Sequence, residues 1–486
     1  MTPGEITYTV LLSIGGTYVV FLAALLHPNV QRFAVYANKF HTAGWWHNLN
    51  DPESFGFSRN QVQPFTLQTH DNATLYAWHI LPLTTYEKQS TILRNSPVTK
   101  SPLTKAEFTQ SAHFNFLKDD PDAKVVIIHG NAGHLAQTHR HPTFRLLSTL
   151  PNTHILTLDY RSYGLSHPSP QPTEAGLITD GTAFLNFVLY DMGVNPKNVV
   201  ILGQSLGTAV ATAVCEKYLL GGQNDIGGVD GNIERVLENG ESGIDGDITT
   251  TTASMRPTDP TLIPVTPDEQ TPLIAPSPPA INTSHSHPHS RPIPPASLIL
   301  VAPFITMPSL LPAYSILHLI PILSPLRIFP SVQKYILNHF VCDHWDTLGR
   351  LQRMVGEFGV ENVGGGRERE REIAAVVEGS KLDVQILHAR DDWDIPVLQG
   401  VGLFEGIVAS QIERSGTTRD VVWRNGDGVG GSSSSRRSKA KEARVEVFEI
   451  PERAVRVRLE IVRFGAHNDV MMYSPVMLAV MRGFGV

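Results

Sequence analysis

The stretch that most constrains this chain is NVVILGQSLGTAVATAVCEKYLL, from Asn198 to Leu220. The apolar run Val199 to Leu202 reads as a buried strand, and the small-residue run from Thr208 to Cys215 reads as a helix packed close behind it. Between them lies Gly203-Gln204-Ser205-Leu206-Gly207, a G-x-S-x-G sequence. A serine on a sharp strand-to-helix turn needs glycine on both sides so that the backbone can close up. The five residues alone recur by chance and can mark a merely structural turn. The flanking strand and helix give the pattern meaning and make Ser205 the candidate nucleophile.

A chain of 486 residues with 41% hydrophobic content can bury a large core, so size sets no obstacle to an enzyme. The net charge of −7 comes from 39 basic and 46 acidic residues, with no basic stripe interleaved with aromatics, which argues against nucleic acid as a partner. Cys215 and Cys342 make neither a disulfide framework nor a metal-ligand spacing, and both read as packing residues.

Ile6 to Leu26 carries no charge and, as a helix, would cover about the 30 Å of a bilayer core. It reads as an uncleaved anchor within residues 1–30. A secretory leader would have a basic residue before the apolar run and a better cleavage site than Ala23-Ala24-Leu25. Glu5 before the span and Arg32 and Lys39 after it weakly favour a cytosolic C-terminal side. The sequons Asn72-Ala73-Thr74 and Asn282-Thr283-Ser284 matter only if that side is lumenal. The juxtamembrane segment, residues 31–61, carries Phe33, Tyr36, Phe40, Trp45 and Trp46, which suits either a headgroup-level belt or a packed loop.

Beyond it, Val62 to Thr69 and Ala73 to Leu81 read as a hairpin turning at Asp71-Asn72, and Thr84 to Asp122 reads as an irregular loop. From Lys124 strands and helices alternate, which implies βαβ units and a mainly parallel sheet: VVIIHG, a helix around His141 to Leu150, THILTLDY, a helix from Ala175 to Tyr190, then the serine strand. Residues 62–220 form the first half of the core. Residues 221–296, rich in Gly, Asp, Thr and Pro, read as a disordered insertion, and the tract His285, His287, His289 within it as incidental rather than a metal site. Residues 297–486 form the second half. It opens with the strand Ser297 to Ala302 and continues into a proline-broken apolar region, a small helical cap over 307–350. That region either lines an acyl-chain entrance or adds core and dimer surface. Residues 364–380, GGGREREREIAAVVEGS, read as the charged start of a helix, and residues 415–442 as a second disordered loop. Strands Ala443 to Ile450 and Val455 to Phe464 and a helix from Met471 to Met481 close the chain.

A serine hydroxyl needs a base to take its proton, and the base needs an acid to fix its tautomer. His467, in Gly-Ala-His-Asn-Asp past the last strand, is the candidate base. Asp391, Asp392 and Asp394, after the strand Asp383 to His388, are the candidate acids. His388, inside a strand, and His129, at the end of one, read as structural histidines. An oxyanion hole takes one backbone N–H from the residue after the serine, Leu206, and one from a loop after an earlier strand. The loop His129-Gly130-Asn131-Ala132-Gly133 fits, with Asn131 as the donor. It lacks the Lys and Ser/Thr of a P-loop.

HGNAG, DYRSYG, GQSLG, LHARDDWDIP and GAHND, in that order, resemble the membrane-anchored α/β-hydrolase-domain lipases that cleave monoacylglycerols and lysophospholipids, particularly lysophosphatidylserine. The resemblance covers Val62 to Leu220 and Ser297 to Val486. It implies an α/β-hydrolase fold, an acid on Asp392, a nucleophile on Ser205, a base on His467 and oxyanion donors on Asn131 and Leu206, with elbow glycines Gly203 and Gly207. No cofactor or metal is implied. Ser162 departs from the glycine usual in DYRGYG-like loops and bears on substrate fit. The resemblance also implies anchoring in the endoplasmic reticulum with a lumenal catalytic domain, against the charge argument above. The reading is a membrane-anchored serine hydrolase of lipid acyl esters. An acyl-protein thioesterase and a catalytically silent binding protein of the same fold are the alternatives.

Overall fold

The structure, a computed structural model, describes residues 2–40, 47–98, 100–137, 139–166, 171–221, 292–316, 320–321, 323–359, 381–415, 422–425 and 444–486. Most of the 221–296 and 415–442 stretches, the 364–380 stretch, Trp45, Trp46, the histidine tract and the Asn282 sequon lie outside the described residues.

Helix α1 (Pro3–Leu25) is opened by a reciprocal capping box between Thr2 and Glu5. It is long and apolar enough to cross a membrane, and none of its apolar window is buried against the protein. Two residues later α2 (Pro28–Tyr36) begins, ending at Ala37 in the left-handed conformation. The expected hairpin of β1 (Val62–Gln68) and β2 (Thr74–Ile80) follows, antiparallel with Val62 opposite Ile80.

The stretch expected to be an irregular loop is instead mostly helical: α3 (Leu83–Lys88), α4 (Ser90–Asn95), α5 (Lys105–Phe108) and α6 (Ala112–Lys118). Each turn is too short for hydrophobic periodicity to show. Caps and single anchors hold them instead: Thr104 and Glu107 cap α5, Ser111 caps α6, and Phe108, Phe114 and Leu117 are buried.

Next come β3 (Lys124–His129), α7 (Arg140–Leu147), β4 (Thr153–Asp159), α8 (Glu174–Asn186), β5 (Val199–Gln204), α9 (Leu206–Leu220) and β6 (Ser297–Val301). A two-residue ladder of β7 (Ser315–Ile316) and β8 (Ile320–Pro321) lies in the cap region, with the helix Pro330–Phe340 beyond it. The helix Thr347–Glu357 packs on α9, so the core resumes inside the boundary expected for the cap. The remaining strands are β9 (Leu382–Ala389), β10 (Val422–Asn425), β11 (Arg444–Ile450) and β12 (Val455–Val462), and the helix Ser474–Phe484 ends the chain. Strand β10 lies within residues 415–442 and pairs antiparallel with β11, so these four residues depart from the disordered loop expected, and most of that stretch lies outside the described residues.

Among the described residues the main sheet runs β1-β2-β4-β3-β5-β6-β9-β12-β11-β10. It is parallel from β4 through β12 and antiparallel at both margins. Central strands are apolar at nearly every position because both faces are covered. In β5, Val199 and Ile201 join one hydrophobic cluster while Val200 and Leu202 join the other. In β12, by contrast, buried Val455, Val457, Leu459 and Ile461 alternate with half-exposed residues. Each buried aliphatic side chain contributes about 1.5–3 kcal/mol, which sets the register of the strands that carry the site.

Candidate active site

The predicted site residues lie at or beyond the carboxyl ends of parallel strands β3, β5, β9 and β12, the edge of an open α/β sheet where ligands bind. Asp392 and His467 meet there, and among the described residues no hydrogen bond joins the Ser205 hydroxyl to His467. Ser205 stands between β5 and α9 at φ 57 and ψ −128, a conformation that L-residues rarely adopt. Its N–H donates to the Val301 carbonyl at 3.0 Å, and its own carbonyl accepts from the Thr208 N–H at 2.9 Å and the Thr208 hydroxyl at 2.6 Å. A Cβ on Gly203 would sit 2.5 Å from the Gly207 carbonyl oxygen, so only glycine permits the helix to start this close to the strand.

His467 Nδ1 lies 2.9 Å from Asp392 Oδ2. With the carboxylate as acceptor, Nδ1 carries the hydrogen and Nε2 keeps its lone pair. Of the three candidate acids, Asp392 is the one that meets the histidine. Its Oδ1 accepts from the N–H groups of Asp394 and Ile395, both at 2.9 Å, which fixes the carboxylate plane. Asp391 does different work: its Oδ1 accepts from the Ala466 N–H at 2.8 Å, tying the acid loop to the histidine loop. Burial alone would raise the Asp392 carboxyl, but His388 and His467 as hydrogen-bond donors and charges carry it below the usual carboxylate range. Burial likewise works against protonated His467, and the Asp392 hydrogen bond and charge, with Asp394, overcome it and raise the imidazole above its ordinary value. One donor atom each from Asp392, Asp394 and His467 lie within 4.8 Å of one another, the spread of a small metal site. The pairing of His467 with Asp392 already engages two of them.

Gln204 links serine and histidine. Its Nε2 donates to the His467 carbonyl at 3.0 Å and to Asn468 Oδ1 at 3.2 Å, while Oε1 lies 3.1 Å from His139 Nε2. Burial and the Arg140 charge push His139 down to about 3, so it stays neutral at physiological pH and holds the amide in one orientation.

The loop from Gly130 to Gly133, the candidate for the oxyanion role, is held by Arg140. Its guanidinium donates to the carbonyls of Ala132 at 3.2 Å and His134 at 2.7 Å, and also to that of Asn131. A Cβ on Gly130 would meet the guanidinium at 2.9 Å. Neither the Asn131 N–H nor that of Leu206, the first residue of α9, has an acceptor among the described residues. Ser162 sits at φ 65, where a glycine would be unstrained.

Sequence reading did not find Gln204, His139, Arg140, Tyr163, whose hydroxyl lies 2.7 Å from Asn131 Oδ1, or the second role of His388, whose Nε2 lies 2.8 Å from the Ile395 carbonyl and 3.4 Å from Asp392. A glutamine, a histidine or an arginine inside a motif looks like any polar residue until the fold supplies its partners. Cys215 is buried and Cys342 half-buried, and neither meets another thiol.

The chain matches the Alpha/beta hydrolase family over residues 125–377. It is similar to the lysophosphatidylserine lipase ABHD12 of Mus musculus, 29% identical over 214 residues that span 43% of this chain and 47% of that protein. The Danio rerio protein of the same name is 28% identical over 42% of this chain and 47% of its own length. The matched stretch thus spans about half the length of these relatives. Among solved structures, an α/β hydrolase from Vibrio vulnificus aligns at a TM-score of 0.41 and 12% identity, covering 93% of this chain and 92% of that one. The Pyrococcus furiosus esterase Pf2001 aligns at a TM-score of 0.39 and 11% identity, covering 92% and 94%. The family match takes in more than half of the sequence, including β3, the serine turn and α9, and this chain belongs to the α/β hydrolase family.

Proposed function

We propose that the protein is a membrane-anchored serine hydrolase that cleaves acyl esters of lipids, of the monoacylglycerol or lysophospholipid class. In this reading Ser205 Oγ attacks the ester carbonyl as His467 Nε2 takes its proton. The tetrahedral oxyanion accepts hydrogen bonds from the Asn131 and Leu206 N–H groups. His467 returns the proton to the departing alcohol, and a water activated by the same imidazole releases the fatty acid. Asp392 holds the imidazole and stabilises its charged form. Each oxyanion donor is worth about 3–4 kcal/mol in the transition state.

The observation that carries this reading is the Asp392–His467 pair at 2.9 Å, joined to the serine turn through the Gln204 amide. The lipid substrate rests on the apolar α1, on the name of the relatives, and on Trp393, which follows Asp392 in the chain and exposes 75% of its surface. Anchoring in the endoplasmic reticulum with a lumenal catalytic domain is the topology this reading favours. Asn72 is exposed at the tip of the β1–β2 turn, where an oligosaccharide has room.

A panel of monoacylglycerols, lysophosphatidylserine, other lysophospholipids and an S-palmitoylated peptide, assayed with wild type and Ser205→Ala, tests the substrate class. Turnover of the lipid esters that disappears in the variant is the expected result. Turnover of the peptide alone would replace it with the thioesterase reading.

A further inference from the structure

The segment after α1 does not behave as a linker. The last carbonyls of a helix have no partners within it, and those of α2 find theirs on the catalytic side of the sheet. Asn131 Nδ2 donates to the Val35 carbonyl at 3.0 Å, and the Gly133 N–H donates to the Ala37 carbonyl at 3.2 Å. The Tyr163 hydroxyl lies between the two parts, 3.0 Å from the Tyr36 carbonyl and 2.7 Å from Asn131 Oδ1. Asn38 Nδ2 donates to the Ser162 carbonyl at 2.8 Å. Both ends of the Asn131 side-chain amide are therefore set by α2 and the tyrosine that bridges to it.

The outer side of α2 is fixed as well. Buried Tyr36 donates its hydroxyl to Asp343 Oδ2 at 2.9 Å, and Arg32 Nε reaches the same oxygen at 3.1 Å. Gln31 donates to the Phe340 carbonyl at 2.6 Å and accepts from the Cys342 N–H at 3.1 Å. The loop Gly130 to Gly133 has no regular secondary structure, so its shape comes from what grips it. Arg140 grips its carbonyls, and α2 grips the Asn131 side chain and the Gly133 N–H. An N–H that stabilises an oxyanion must already point at the developing charge, because its advantage over water is that it does not reorganise.

We infer that residues 28–40 are a positioning element of the oxyanion loop, holding Asn131 in register with Ser205, so that the helix adjoining the apolar span is part of the catalytic apparatus. The inference rests on the reading of Asn131 as an oxyanion donor. It also accounts for Tyr36 being fully buried, where the sequence left open a place in a headgroup-level aromatic belt.

The test uses the full-length chain in detergent micelles with p-nitrophenyl butyrate, and with a trifluoromethyl ketone whose hemiketal oxygen occupies the oxyanion position. Tyr163→Phe keeps the ring and removes the bridging hydroxyl, and Asn38→Ala removes the second tie. Asn60→Gly is the control: Asn60 ties the remote Leu93 and Ser96 carbonyls at 2.8 and 3.1 Å, and glycine suits its positive φ. The double variant is expected to lose about tenfold in kcat and in ketone affinity, a fraction of what deleting a donor costs, with KM within about twofold. Each single variant is expected to lose about threefold, which keeps the test available if the double variant does not fold. Asn60→Gly is expected to keep both values at an equal fall in thermal midpoint. Unchanged kcat and ketone affinity in the single variants, or a loss matched by Asn60→Gly, would overturn the inference. Turnover that survives in Ser205→Ala would instead remove the functional reading beneath it.

Discussion

At the scale of single residues, Asp392 and His467 set each other's charge. The imidazole serves as a base only when neutral, and its pKa is raised above 6.5 by the Asp392 hydrogen bond and charge outweighing burial. Activity therefore falls as pH drops through a midpoint above 6.5. Replacing Asp392 with Asn removes the negative charge, so the acid limb of kcat/KM moves to lower pH while the plateau falls about 10³–10⁴-fold. A pH–rate profile of both proteins checks the direction; a limb that stays in place would mean another group controls it. Asp159, which burial pushes up to about 7 despite the Leu135 N–H and the Arg140 charge, is the group to exclude in that case. Arg140→Met should cost about 10–100-fold in kcat by freeing the oxyanion-loop carbonyls, with Arg140→Lys recovering part of it.

At the scale of elements, the central strands and the serine turn were legible because burial on both faces writes continuous apolar runs into the sequence. The short helices between Leu83 and Lys118 were not, since one cap and one buried aromatic per turn leave no period to read. One of these helices, α6, brings His113 against two buried strand histidines, His79 of β2 and His154 of β4. His79 Nε2 lies 2.9 Å from His154 Nδ1, and the His113 ring is 5.5 Å from that of His79. Burial holds all three down, His113 to about 4 and His154 to about 3. The unfolded chain takes up these protons near 6.5 and the folded chain does not, so their contribution is complete above 6.5 and is lost as pH falls from there toward 4. The slope is up to about 1.4 kcal/mol per pH unit for each histidine. Urea midpoints at pH 7.5 and 5 should show the drop and His113→Phe should shrink it. Equal midpoints at the two pH values would contradict the account.

At the scale of the whole molecule, the sequence singled out the serine turn, Asp392 and His467 in that order, and the family resemblance singled out Asp392 as the partner that His467 meets. The ties between distant segments were not readable. Gln204 meets His467, and Val35 meets Asn131, through contacts that no local pattern announces. If α1 spans a bilayer, membranes washed at high pH will retain the full chain, and charged replacements at Ile14 and Val19 will release it. A lumenal catalytic domain predicts a glycosidase-sensitive mass shift that Asn72→Gln abolishes. The central claim, that Ser205 is a nucleophile activated by His467 and Asp392, is tested most directly by fluorophosphonate labelling of wild type beside Ser205→Ala in membranes at neutral pH. The account predicts a labelled wild type and an unlabelled variant. Labelling that persists in Ser205→Ala, or its absence from both, would contradict it.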